Sequence, residues 1–181
     1  GVPHVPTELV TRGQAETLHA IRERRGFGKV VIKPAIAAGS AGARLFEATD
    51  RQEAEAHLAS LSAQGDVLVQ PYMPAVEARG ERSLIWIDGE LTHAMRKSPR
   101  FSGGVAAVER VDDVSAEERA LAAAAVAAVA GPLFYARVDT IAGDDGQPLL
   151  MELELIEPSL FFAASTRALS RFADGALARA L

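Results

Sequence analysis

The sequence contains no cysteine, and only three lysines stand against sixteen arginines. The absence of cysteine excludes disulfides, thiolate metal sites and a thiol nucleophile, and it suits a reducing cytoplasm. No long basic run occurs and the formal charge is -5. A general affinity for nucleic acid or an anionic membrane therefore has no support, because both depend on clustered Lys and Arg. Long apolar runs are missing as well. The longest uncharged stretch, Ala120 to Ala136, is mostly alanine and is broken by Gly131 and Pro132, which reads as a buried helix leading into a strand rather than a membrane span. Residues 1–7 lack the basic and apolar regions of an export signal, and the chain begins as if in mid-protein. There is no Gly-x-Ser-x-Gly elbow, and His4, His19, His57 and His93 show no zinc spacing, so a hydrolase triad and a zinc site have little support.

With 49% apolar residues over 181 positions, the chain can bury one substantial core or two small lobes, as a soluble globular protein does. Charge content and apolar spacing predict a helix over residues 14–25. Val30, Val31 and Ile32 predict a buried strand stopped by Pro34, and residues 37–42 form a small-residue loop before a second strand near Leu45 and Phe46. Asp50 with Glu53 has the spacing of a capping box for a helix reaching about Gln64, and Ser115 with Glu118 does the same for the Ala-rich helix. Val67 to Val69 reads as a strand, and Pro71 and Pro74 stiffen a segment suited to joining two lobes. Asp88-Gly89 and Asp145-Gly146 are preferred pairs for two-residue hairpin turns, the second between strands around 133–141 and 148–155. A last helix is expected over about 163–180.

Glu152 and Glu154 lie two apart in a strand and so share a face. Counting back from a tight turn at Asp145-Gly146 sets Asp139 opposite Glu152 and Arg137 opposite Glu154. Three carboxylates on one face repel one another unless a cation compensates, and an all-oxygen donor set favours magnesium over zinc. The competing reading is the solvated face of a half-exposed sheet. Lys33 ends an apolar strand just before Gly39, Ser40 and Gly42, an order that differs from a Walker A loop but still lets backbone amides and an ammonium meet phosphate. A count from Asp88-Gly89 sets Arg96 opposite Glu81 and turns Lys97 to the other face, making Lys97 the better phosphate candidate.

Val-Ile-Lys33-Pro with its loop, Val69-Gln70-Pro71-Tyr72-Met73, Arg137-Val-Asp139 and Glu152-Leu-Glu154, taken in this order, resemble the ATP-grasp superfamily, closest in type to its glutathione-synthetase-like group. The resemblance spans nearly the whole chain and implies an α+β, two-lobed ATP-grasp fold of antiparallel sheets and packed helices. It implies a small lobe with the phosphate loop over 1–73 and a larger lobe with the metal site over 74–181, the family's N-terminal pre-ATP-grasp domain being absent. Lys33 would contact ATP phosphates, with Gly39, Ser40 and Gly42 in the loop over them. Gln70, Pro71, Tyr72 and Met73 would line the adenine pocket, Glu77 would reach the ribose, and Asp139, Glu152 and Glu154 would hold two magnesium ions. Arg137 and Lys97 would act on the transferred phosphate as catalytic residues. The implied activity is ATP- and Mg2+-dependent joining of a small-molecule carboxylate to an amine through an acyl phosphate, in the cytoplasm, with homo-oligomerisation and the activity of this stretch alone left open. A non-catalytic ATP-binding module and an ATP-grasp kinase are the alternatives. Met151 to Phe161 also resembles a subgroup that includes the ring-closing ligase of cycloserine biosynthesis. Glu154 stands where the family usually has Asn, Glu157-Pro158-Ser159-Leu160 replaces its Ser-Pro-Gly segment, and an upstream nucleotide-binding lysine is missing.

Overall fold

Alternating apolar residues in the first part of the chain build a four-stranded antiparallel sheet covered by two helices. The structure is a computed structural model that describes residues 1–37, 41–98 and 107–180. It divides into one unit of Val5–Tyr72 and a second of Gly1–His4 with Met73–Leu181. The first unit holds β1 (Glu8–Val10), α1 (Leu18–Arg25), β2 (Val30–Pro34), β3 (Arg44–Phe46), α2 (Arg51–Ser62) and β4 (Val67–Pro71), with strand order β1-β4-β2-β3. Val30, Ile32, Val67 and Val69 point inward with period two and pack on Leu18, Ile21 and Leu58. Helix α1 begins at residue 18 rather than 14, because Thr17 caps it by accepting from the Ala20 amide. Glu55 of α2 then accepts from the Leu18 and His19 amides at 2.9 Å each, which meets donors a helix leaves unpaired. The capping box expected at Asp50 does not form. Its carboxylate turns back to accept from the Glu47 amide at 2.8 Å, and Glu53 pairs with Arg44.

The second unit holds α3 (Ala75–Arg79), β5 (Glu81–Ile87), β6 (Glu90–Lys97), β7 (Val108–Val111), α4 (Ala116–Ala127), β8 (Tyr135–Ala142), β9 (Pro148–Glu154) and α5 (Thr166–Ala180). Its five strands run antiparallel in the order β7-β6-β5-β8-β9. Leu84, Ala94 and Val138 on one face pack against Ala122 and Ala125 of α4. That helix carries the full Ser115–Glu118 capping box. On the other face Ile85 and Ile87 are covered by Leu160, Ala168 and Phe172. This apolar cover stops short of the sheet's far half, where the same face becomes polar. Among the described residues, no helix is long and apolar enough to cross a membrane.

Two β-bulges decide which side chains reach that polar half. Asp88 and Gly89 have φ of 47° and 84°, the two left-handed residues that a type I′ turn requires. Next to the turn Trp86 pairs with Leu91, but Ile85 pairs with His93, so Thr92 is an extra residue in β6. The shift sets Lys97 opposite Glu81 and Arg82 opposite Arg96. This corrects the pairing of Arg96 with Glu81 that an unbroken count requires; Arg96 pairs instead with Glu109 of β7. In the second hairpin Ala142 faces Pro148 and Thr140 faces Leu150, one step away from the expected register, and the extra residue Met151 restores it at Asp139 opposite Glu152. Had the register run unbroken through Met151, Glu152 would fall opposite Val138 and both glutamates would turn to the face that packs on α4.

Gly80 joins α3 to β5 at φ 70°, ψ 172°, and a Cβ there would lie 2.6 Å from the Lys97 carbonyl oxygen. This backbone region is essentially reserved for glycine, so Gly80→Ala should cost at least roughly 1–3 kcal/mol in urea unfolding. Gly146→Asn, at a left-handed position with nothing near its Cβ, should change stability far less. Equal effects from the two substitutions would contradict the close approach at Gly80.

Candidate functional site

The polar half of the five-stranded sheet brings together Glu81 and Ser83 from β5, Lys97 from β6, Arg137 and Asp139 from β8, and Glu152 and Glu154 from β9. Asp139 is at the centre and has no exposed surface. Its Oδ1 accepts from Ser83 Oγ at 2.6 Å and from Arg137 Nε at 3.0 Å. Its Oδ2 accepts from Arg137 Nη2 at 2.8 Å, Arg137 Nε at 3.0 Å and Lys97 Nζ at 3.0 Å. Lys97 also donates to Glu81 Oε1 at 2.6 Å, and Arg137 Nη2 pairs with Glu154. One oxygen each from Asp139, Glu152 and Glu154 falls within 4.8 Å of the others. Such a set of oxygen donors suits a hard divalent cation.

Opposed forces fix the charges. Burial pushes the Asp139 carboxyl up, but the Arg137 hydrogen bond and the charges of Lys97 and Arg137 outweigh it and hold the group below the usual aspartate range. Glu81 moves the other way, because burial first and then the Asp139 charge raise its carboxyl against the pull of Lys97. Burial disfavours the charged Arg137 guanidinium, yet its bond to Asp139 and the charges of Asp139, Glu154 and Glu81 leave it more firmly protonated than usual.

Lys33, Gly42, Gln70, Pro71 and Tyr72 belong to the other unit. Lys33 pairs with Leu68 near the end of β2. Gly42 has φ 76°, and a Cβ on it would meet the Pro34 ring at 3.0 Å, so a bare backbone is required beside the Lys33-Pro34 pair. Gly39 and Ser40 lie outside the described residues. Gln70 is buried and donates to Thr7 Oγ1 at 2.9 Å, while Pro71 faces Val30. The Tyr72 amide donates to the Lys29 carbonyl at 2.8 Å, and Lys29 Nζ sits 4.6 Å above the Tyr72 ring. Met73 and Glu77 fall in the larger unit, where the Met73 carbonyl accepts from Val76 at the start of α3 and Glu77 is an exposed residue of that helix. Glu157, in the segment that departs from Ser-Pro-Gly, and Phe161, just after it, take positive φ of 47° and 49°.

Sequence reasoning missed Glu81 and Ser83. The available signal was the period of two that places them on one face of β5 with Ile85 and Ile87, but the Thr92 bulge hid the partner of Glu81. A separate concavity of about 460 Å3 in the larger unit is lined by Arg79, Arg82 and Arg96 among others. Its Arg82 is already engaged by Asp113 at 3.3 Å and Glu118 at 2.8 Å.

Residues 4–160 match the RimK-like ATP-grasp domain. The chain is 35% identical to the cycloserine biosynthesis protein DcsG of Streptomyces lavendulae over 96% of its own length and 64% of that protein's. It superposes on the crystal structure of D-cycloserine synthetase DcsG with a TM-score of 0.87 at 34% identity, covering 98% of this chain and 65% of that one. The ATP complex of D-alanine–D-alanine ligase from Bacillus anthracis gives a TM-score of 0.70 at 20% identity over 98% of this chain and 60% of that one, a likeness of fold. The chain thus spans about 65% of the length of the cycloserine synthetase.

Folded Asp139 binds its proton less readily than the unfolded chain does. Its contribution to stability is therefore complete above about pH 4 and is lost as the pH falls through the depressed value. Glu81 contributes in the opposite sense, fully below about pH 4 and less as the pH rises through its raised value. Asp139→Asn strands Arg137 and Lys97 and should lower the unfolding free energy by about 3–5 kcal/mol at pH 7. The gap from wild type should narrow by pH 3, as urea melts at the two pH values would reveal; a gap as wide at pH 3 as at pH 7 would refute this account of Asp139.

Proposed function

This chain belongs to the RimK-like ATP-grasp family, and we propose that it is the nucleotide- and magnesium-binding part of a cytoplasmic ATP-dependent ligase joining a small-molecule carboxylate to an amine. The observation that carries the reading is the single sheet face on which Asp139, Glu152 and Glu154 gather oxygens within 4.8 Å beside Arg137 and Lys97. Carboxylates and cations interleaved in this way suit a ligand that is itself a metal-bound polyanion.

In this reading Asp139, Glu152 and Glu154 would hold two magnesium ions, which would supply charge neutralisation for the phosphates. Lys33 and the loop with Gly39, Ser40 and Gly42 grip phosphate oxygens, Gln70 to Met73 line the adenine, and Glu77 meets the ribose. The substrate carboxylate oxygen attacks the γ-phosphorus of ATP, the bond to the β,γ-bridging oxygen breaks, and ADP leaves with that electron pair. Arg137 and Lys97 take the charge that develops on the transferred group, the dominant task of a protein in phosphoryl transfer. The amine then attacks the acyl carbon, orthophosphate departs, and the amine proton is lost to solvent. Likeness to a D-cycloserine synthetase supports small amino-acid-like substrates.

Isothermal titration with a non-hydrolysable ATP analogue should give magnesium-dependent binding. An Asp139→Asn, Glu152→Gln double variant should weaken it about tenfold or more. Binding that needs no magnesium and survives the double substitution would contradict the assignment of these carboxylates.

A further inference from the structure

The hydrogen bonds around Asp139 have a consequence for how a metal ion can bind. A carboxylate offers about four lone-pair sites. At Asp139, Ser83 and Arg137 Nε use Oδ1, and Arg137 Nη2 and Lys97 use Oδ2, with Nε bridging to it as well. The central carboxylate of the proposed metal set is therefore saturated by donors of the protein itself. A divalent ion cannot join it without displacing one of them, so its binding is an exchange.

The partners of each donor determine which one leaves. Ser83 is neutral and fully buried, and its hydroxyl makes no charge repulsion with an arriving cation. Lys97 has a second acceptor outside the metal set, Glu81 at 2.6 Å, which can retain it when Asp139 is taken. The carboxylates that hold Arg137 offer no such refuge, because Asp139 and Glu154 both belong to the set whose oxygens lie within 4.8 Å. A cation entering that set repels the guanidinium from both carboxylates at once. The planar fork then needs another anion, and polyphosphate oxygens match its geometry.

We infer that Arg137 is the resident counter-ion of the metal site, an internal competitor that keeps free divalent ions out until polyphosphate oxygens draw it away, while Glu81 is a positioning residue that retains Lys97. This rests on the nucleotide reading above. It makes metal and polyphosphate binding cooperative through one side chain, and by linkage each ligand raises the affinity of the other by the same factor.

The test is titration of Mn2+ alone into the 181-residue chain, wild type against Arg137→Gln, repeated with tripolyphosphate present. Wild type should bind Mn2+ alone weakly, Arg137→Gln should bind it about tenfold more tightly once the competing charge is gone, and the gain from tripolyphosphate should shrink in the variant. An Arg137→Gln protein that binds Mn2+ alone no better than wild type overturns the exchange. If near-UV circular dichroism shows the variant unfolded, the wild type carries the test through the Arg137 Nε–H resonance. That signal should stay in place with Mg2+ alone and move with Mg2+ plus tripolyphosphate; movement with Mg2+ alone at submillimolar saturation overturns the inference. Wild-type binding of a magnesium–ATP analogue separates the two levels. If it binds while Arg137→Gln gains no Mn2+ affinity, only the exchange fails, and if it does not bind, the nucleotide reading fails with it.

Discussion

A carboxylate shielded from water must be met by positive charge or take up a proton, and Asp139 has no exposed surface. Burial favours the protonated form, yet Arg137 and Lys97 shift the balance to the charged one. Most of the larger unit's polar face follows from that requirement. Ser83 completes the hydrogen bonding, Glu81 anchors the lysine, and Glu154 engages the same Nη2 of the guanidinium that donates to Asp139. A buried network of this kind is weak evidence for stability in its own right, since well-packed apolar residues could replace it at little cost. Its retention on one half of a sheet whose other half is covered by α5 argues for a ligand-directed role.

The backbone feature that makes the arrangement possible is a pair of one-residue insertions. Thr92 moves Lys97 opposite Glu81, and Met151 moves Glu152 and Glu154 onto the face of Asp139. Bulges re-aim side chains because the strand period is two, so one extra residue exchanges inside for outside along the rest of a strand. Both insertions sit between a hairpin turn and the charged residues beyond it. The turns can then keep their own geometry while the far ends of the strands present charge.

These insertions also mark the limit of what was legible. The hairpin at Asp88-Gly89 and the Ser115–Glu118 capping box follow from local chemistry, the antiparallel α+β character follows from the family resemblance, and the structure has all three. The pairing of Asp139 with Glu152 was counted correctly although the count assumed the wrong register beside the turn, because Met151 compensates by one residue. The same arithmetic failed at Glu81, where Thr92 introduces a shift that no turn residue announces. Glu81 and Ser83 were missed for that reason. The short elements β1, α3 and β7 were missed because they lack periodicity of their own and are defined by their neighbours. The Asp50 cap failed because the aspartate had a competing amide within reach at Glu47.

Family membership and the interleaved acids and cations of the larger unit support the proposal that Asp139, Glu152 and Glu154 form a metal site. The most direct measurement of its central claim is anomalous scattering from crystals of the chain grown with Mn2+ and a non-hydrolysable ATP analogue. The account predicts manganese peaks coordinated by Asp139, Glu152 and Glu154, with Arg137 released from Glu154 and turned to phosphate oxygen. Manganese elsewhere, with Asp139 still bound by both Arg137 and Lys97 in the presence of nucleotide, would contradict it.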